Sequence, residues 1–144
     1  MITLPKYPPN YKEIEKAFPS IKGQKGVVFT FGGIIFNPSD SYIDEPLALH
    51  ESMHSLQQDA MGKGATGPKR WWKKYINDPE FRLNQELQAY RVQYKRFCEL
   101  QKDRNRRAWL LNRIATDLSS EQYGSVISKD EAIRLIREQP EPIE

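Results

Sequence analysis

The chain is poor in the residues that would place it in several common classes. Its 144 residues hold one cysteine, Cys98, so no intrachain disulfide can form and a disulfide scaffold is excluded. No apolar run approaches the ~18 residues that a membrane span requires. The start, Met1-Ile2-Thr3-Leu4-Pro5, has neither a basic stretch nor an apolar one, so a signal peptide is not expected. These absences suggest a cytoplasmic protein suited to a reducing compartment, with no membrane partner. Charge of one sign is also scarce. Lysine and arginine number 22 against 19 acidic residues, and a net +3 is too mild by itself to imply nucleic acid. Aromatic residues, at 11%, are too many for a disordered chain, and 38% hydrophobic residues suffice for one modest core. Length sets an expectation of one domain over 1–144, with a core at about 20–105 and a helical extension at about 106–138. Histidine is the scarcest informative residue: there are two, His50 and His54.

Prolines 5, 8 and 9 make residues 1–10 an extended arm. Asn10 is placed to cap a short helix over Tyr11–Phe18, with Ile14 and Phe18 on one face and Pro19 ending it. From Gly26 to Phe36, β-branched and aromatic residues flank Gly32-Gly33, the pattern of a tight hairpin. After a turn at Asn37–Asp40, Asp44 and Pro46 start a helix that should run to about Met61. Pro68 starts a short helix bearing Trp71 and Trp72. Asp78-Pro79 starts a long one to about Lys102, whose Leu83, Leu87, Tyr90, Tyr94 and Phe97 form an apolar stripe. A helix over about Arg106–Leu118 should turn Trp109, Leu110, Ile114 and Leu118 inward. The last helix opens with Ser128 and Glu131 as a capping box and presents Ala132, Leu135 and Ile136; Pro140–Pro142 should fray. The expected fold is α+β and mainly helical: a small N-terminal hairpin or sheet, then helices.

His50-Glu51-Ser52-Met53-His54 is an HExxH motif inside the first long helix. Residues four apart differ by about 40° around a helix, so both imidazoles project from one face and can share one metal. Zn²⁺ accepts neutral imidazole nitrogen at about 2.0–2.1 Å. Glu51, about 100° round from His50, is poorly placed as a third ligand. It is well placed to take a proton from an activated water, as a general base. On the helical wheel Leu49, Met53, Leu56 and Ala60 gather roughly 100° from the histidines. The helix should therefore pack a core on that side and turn its ligands into a cleft.

A catalytic zinc usually has three protein ligands and an open position. No third histidine remains, and Gln57 and Ala60 stand where a metzincin-like ligand would be sought. A carboxylate must serve. Asp59 points away from His54 by about 140°. On the long helix, Glu99 lies opposite the apolar stripe and should be solvated. Glu86 lies on the stripe's edge between Leu83 and Tyr90 and is the first candidate. Glu80, in the first turn where an acid suits the helix dipole, is the second.

An HExxH helix followed by a helix carrying a glutamate resembles the gluzincin branch of the zincin metallopeptidases. The resemblance covers roughly residues 26–97 and implies a zincin-like fold and zinc-dependent hydrolysis of peptide bonds. It places the zinc on His50, His54 and Glu86, and water activation on Glu51. It also implies that the Val27–Phe36 hairpin lines the cleft and pairs with extended substrate. Many members carry an aspartate four residues after the downstream glutamate; Tyr90 stands there instead. The chain is also similar to small HExxH proteins of bacteria and phages.

Other signals rank lower. Tyr90 and Tyr94 carry hydroxyls able to stabilise an oxyanion, Tyr90 being the nearer to Glu86. Cys98 has no histidine left to activate it and reads as an inert thiol. Lys69–Lys74 and Arg104–Trp109 interleave basic and aromatic residues, but core packing of the tryptophans is the simpler expectation. The leading expectation is a zinc peptidase acting on a peptide or protein. Its rivals are a non-enzymatic structural protein, part of a larger assembly if it belongs to a virion, whose metal is structural or absent, and a helical nucleic-acid-binding module.

Overall fold

A computed structural model describes residues 1–138. The Pro140–Pro142 tail lies outside them. The fold is α+β and mainly helical, with six α-helices and one three-stranded sheet among the described residues. The chain divides into two compact units, 1–77 and 78–144. No helix among the described residues is long and apolar enough to cross a membrane.

The first unit holds the sheet and three helices. Strands β2 (Phe29–Phe31) and β3 (Ile34–Phe36) form the expected hairpin, with Phe29 opposite Phe36 and Phe31 opposite Ile34. Gly32 takes φ +64° at the first turn position, a left-handed conformation that glycine adopts without strain. The arm at residues 1–10 is more ordered than proline content suggested. Ile2–Leu4 forms β1, parallel to β3, so the sheet order is β1-β3-β2. Helix α1 (Tyr11–Ala17) buries Ile14, but the Asn10 side chain makes no capping bond to it. A short 3₁₀ turn at Pro19–Ile21 follows.

Helix α2 (Glu45–Asp59) begins as expected, with the Asp44 carboxylate accepting from Leu47 N. Its orientation reverses the expectation. The buried side chains are Pro46, His50, Glu51, His54 and Gln58, while Leu56 is 65% exposed. The polar stripe faces inward because Glu51, His54 and Gln58 find hydrogen-bond partners, so hydrogen bonding overrides the apolar wheel.

Helix α3 (Thr66–Asn77) buries Trp71, Trp72 and Tyr75 and leaves Lys69, Arg70, Lys73 and Lys74 in solvent. The Lys69–Lys74 patch is therefore a core anchor with a solvated rim. Gly67 sits where α3 crosses the end of α2. A Cβ there would overlap the carbonyl oxygens of Gln58 and Gly62.

The second unit packs α4 (Pro79–Leu100), α5 (Arg104–Leu118) and α6 (Lys129–Arg137). Asp78 caps α4 and Ser128 caps α6, as expected. Leu83, Leu111, Ile114, Ala115, Leu118, Tyr123, Ala132 and Ile136 form its core, with Leu87, Tyr90 and Tyr94 packed against them. One expected core residue is misplaced: Trp109 is 60% exposed, and Leu111 takes the inward position. The stripe on α5 runs 111-114-115-118, one notch round from the expected one.

Gly67 supplies the fold's most direct test. Alanine is the better helix former by roughly 1 kcal/mol. Overlap with two backbone oxygens should outweigh that gain, since forced overpacking costs about 1–3 kcal/mol. Gly67→Ala should therefore lower the thermal midpoint, read by circular dichroism; an unchanged or raised midpoint would contradict the close approach.

Candidate metal centre

The centre is built on α2. The Nε2 atoms of His50 and His54 lie 3.1 Å apart, and both rings are buried. Two nitrogens at about 2.05 Å from one tetrahedral ion are about 3.3 Å apart. The pair is thus spaced as two ligands of one metal. The His54 Nδ1 lies 2.8 Å from Gln57 Oε1. That oxygen can only accept, so Nδ1 carries the proton and Nε2 presents its lone pair. An ion held between them would use both Nε2 lone pairs, which leaves the His50 proton on Nδ1.

Trp71 packs on the His54 ring, with centroids 5.1 Å apart, and Tyr75 stacks on Trp71 at 4.8 Å. An aromatic wall therefore fixes the imidazole that Gln57 orients. Glu51, the motif glutamate, is 6% exposed. Its Oε2 accepts a 2.7 Å hydrogen bond from the Thr30 hydroxyl on β2. Thr30 is itself held, because its carbonyl accepts from Gln58 Nε2 at 2.8 Å and from Trp72 Nε1 at 2.9 Å. The Gln58 amide also accepts from Gly32 N at 2.7 Å, and Ser55 Oγ donates to Gly32 O at 2.7 Å. The strand is clamped to α2 by side chains that stand in for a neighbouring strand.

His50, His54 and Glu86 form a group of three buried residues whose ligand atoms lie within 4.8 Å of one another, a set that could hold a metal ion. Two imidazoles and a carboxylate suit Zn²⁺ and related divalent ions. The other carboxylates considered lie elsewhere. Glu80 is exposed in the first turn of α4, Asp59 is exposed, and Glu99 pairs with Arg96 at 2.8 Å on the surface. Tyr90 donates to Asp117 Oδ2 at 3.3 Å, as does Tyr123 at 3.4 Å. Burial, and after it the Glu86 carboxylate, raise the Asp117 carboxyl from its ordinary value; the two tyrosine hydroxyls and Arg113 act against them. Cys98 is a free, half-buried thiol.

Sequence reasoning did not select Thr30, Gln57 or Gln58. A signal for Gln58 existed, since His50, His54 and Gln58 repeat every four residues. Thr30 alternates with Phe29 and Phe31, which marks it as the residue facing the other way. In comparisons with known proteins, no protein family, no curated protein and no solved structure matches this chain.

The histidine pair and its orienting residue give separable expectations. His50→Ala and His54→Ala should each abolish stoichiometric zinc in the purified protein, measured by metal analysis. Gln57→Leu should keep both ligands but weaken zinc about 10–100-fold in competition with a chelator, as loss of an orienting partner does. Wild-type affinity in Gln57→Leu would show that His54 is oriented without it.

Proposed function

We propose that the protein is a zinc-dependent hydrolase of peptide bonds, with the ion on His50, His54 and Glu86 and with Glu51 as general base. The observation that carries this reading is Glu51 itself. It is buried beside two imidazoles spaced for one ion, and one of its oxygens is pinned by Thr30. A structural metal site needs no such carboxylate. The zinc, when bound, supplies Lewis acidity that activates water and polarises a carbonyl.

The chain's own residues then divide the work. His54, oriented by Gln57 and Trp71, and His50 offer neutral nitrogens. Glu86 contributes a negative charge that a buried cation stabilises. With Oε2 held by Thr30, Glu51 accepts a proton on Oε1 from the water that attacks the scissile carbonyl carbon. It returns that proton to the amide nitrogen as the C–N bond breaks, so protons balance over the cycle. Tyr90 is given no part, because its hydroxyl donates to Asp117.

One observation favours a second reading, in which the metal only fixes the fold. The hairpin was expected to pair with extended substrate. The outer backbone groups at Thr30 and Gly32 are instead taken by Gln58, Trp72 and Ser55. A peptide cannot add to β2 at those positions, so substrate must be held by other groups.

Glu51→Gln separates the two readings. The amide keeps the shape and cannot take the proton, so zinc content should stay at wild-type level while cleavage of a labelled casein falls at least a hundredfold, the scale of lost general-base catalysis. Thr30→Val should lower the rate about tenfold or more at unchanged zinc content, and Thr30→Ser should restore it. No cleavage by the wild-type, zinc-loaded protein across a broad peptide library would leave the structural-metal reading.

A further inference from the structure

The outer face of α5 is neither core nor part of the metal centre. At about 100° per residue, Asn105, Arg106, Trp109, Asn112, Arg113 and Thr116 share the side opposite the buried Leu111, Ile114, Ala115 and Leu118. All six are exposed, and none is acidic. Of the two carboxylates nearest in sequence, one is engaged elsewhere and the other, Asp117, also feels the Arg113 charge. Asp103 caps the helix by accepting from Asn105 N, and Asp117 accepts from the Tyr90 and Tyr123 hydroxyls. Trp109 lies at the centre of the face, 60% exposed, with the Arg113 guanidinium 5.3 Å from its ring centroid.

An indole left in water is unfavourable, and this one is 60% exposed with the Arg113 guanidinium over its ring. A guanidinium over the ring keeps a cation beside a flat apolar surface. That combination suits a ligand with flat rings and a chain of negative charge. We infer that the outer face of α5 binds single-stranded nucleic acid, with Trp109 stacking on a base and Arg106 and Arg113 on phosphates. The mild net charge argues against nucleic acid only when averaged over the chain; this face carries two arginines and no acid. A protein partner would have to offer carboxylates and an apolar slot together. The inference does not depend on the metal centre.

The test uses the full chain and a fluorescently labelled oligo-dT of about 15 nucleotides, read by anisotropy at several salt concentrations. Binding should appear in low salt. With two phosphate contacts, log K should fall against log salt with a slope near −1.4, at about 0.7 per contact for single strands. Trp109→Ala should weaken binding about tenfold or more. Arg106→Gln with Arg113→Gln should flatten the slope. Circular dichroism should be unchanged in these variants, because the replaced side chains are exposed. Absence of binding at about 100 µM protein in low salt would overturn the inference. So would binding indifferent to all three substitutions, or heparin competing equally well with wild type and Trp109→Ala, which would reduce the face to a plain cationic patch. A monomer–dimer equilibrium abolished by Trp109→Ala, without oligonucleotide binding, would assign the face to a second copy of the chain and equally overturn it.

Discussion

The first unit depends on one constraint: α2 buries its polar face. His50, Glu51, His54 and Gln58 leave water together, and a buried polar group without a partner costs about 1–3 kcal/mol. Four such groups would consume much of a small protein's net stability of about 5–15 kcal/mol. Partners must therefore be built, and the neighbouring elements are placed to build them. Strand β2 brings Thr30 to Glu51 and its own backbone to Gln58. Helix α3 brings Trp72 to the Thr30 carbonyl and Trp71 to the His54 ring. Gly67 lets α3 approach closely enough to do so. A divalent ion held there would extend the same logic to the histidine pair, and its binding energy would then be partly folding energy.

The same network joins structure to the proposed chemistry. A general base works from a fixed position, and Glu51 is fixed by a hydroxyl whose own strand is clamped at two carbonyls and an amide. The clamp has a second consequence. By occupying the edge of β2 it protects an otherwise open ladder from pairing with other chains. It also removes that ladder from any substrate. Stability of the strand and access for an extended peptide are in direct competition at Thr30 and Gly32, and stability has won.

Much of this was legible in the sequence wherever the signal was local. Asp44, Asp78 and Ser128 mark helix starts through side-chain bonds to amides two or three residues on, and all three form. Gly32-Gly33 marks the hairpin, and the pair of histidines stands out because there are no others. What was hidden is non-local. The three residues of β1 become a strand only because β3 offers a partner some thirty residues away. The wheel of α2 misled because hydrophobic periodicity measures transfer from water and is blind to pairing. Leu56 looks inward by that measure and is solvated, while Gln58 looks outward and is fully buried. Trp109 misled in the same way, by bulk alone. Thr30 carries no sequence signal stronger than its alternation with two phenylalanines.

The central claim is that His50, His54 and a carboxylate share one divalent ion, and X-ray absorption at the zinc edge of the purified, zinc-loaded chain addresses it most directly. The expected spectrum has a four-coordinate shell of nitrogen and oxygen at about 2.0–2.1 Å, with the outer-shell scattering of two imidazole rings. A shell of oxygens alone, with no imidazole scattering, would contradict it, as would an ion that dialysis removes as readily from wild type as from His54→Ala.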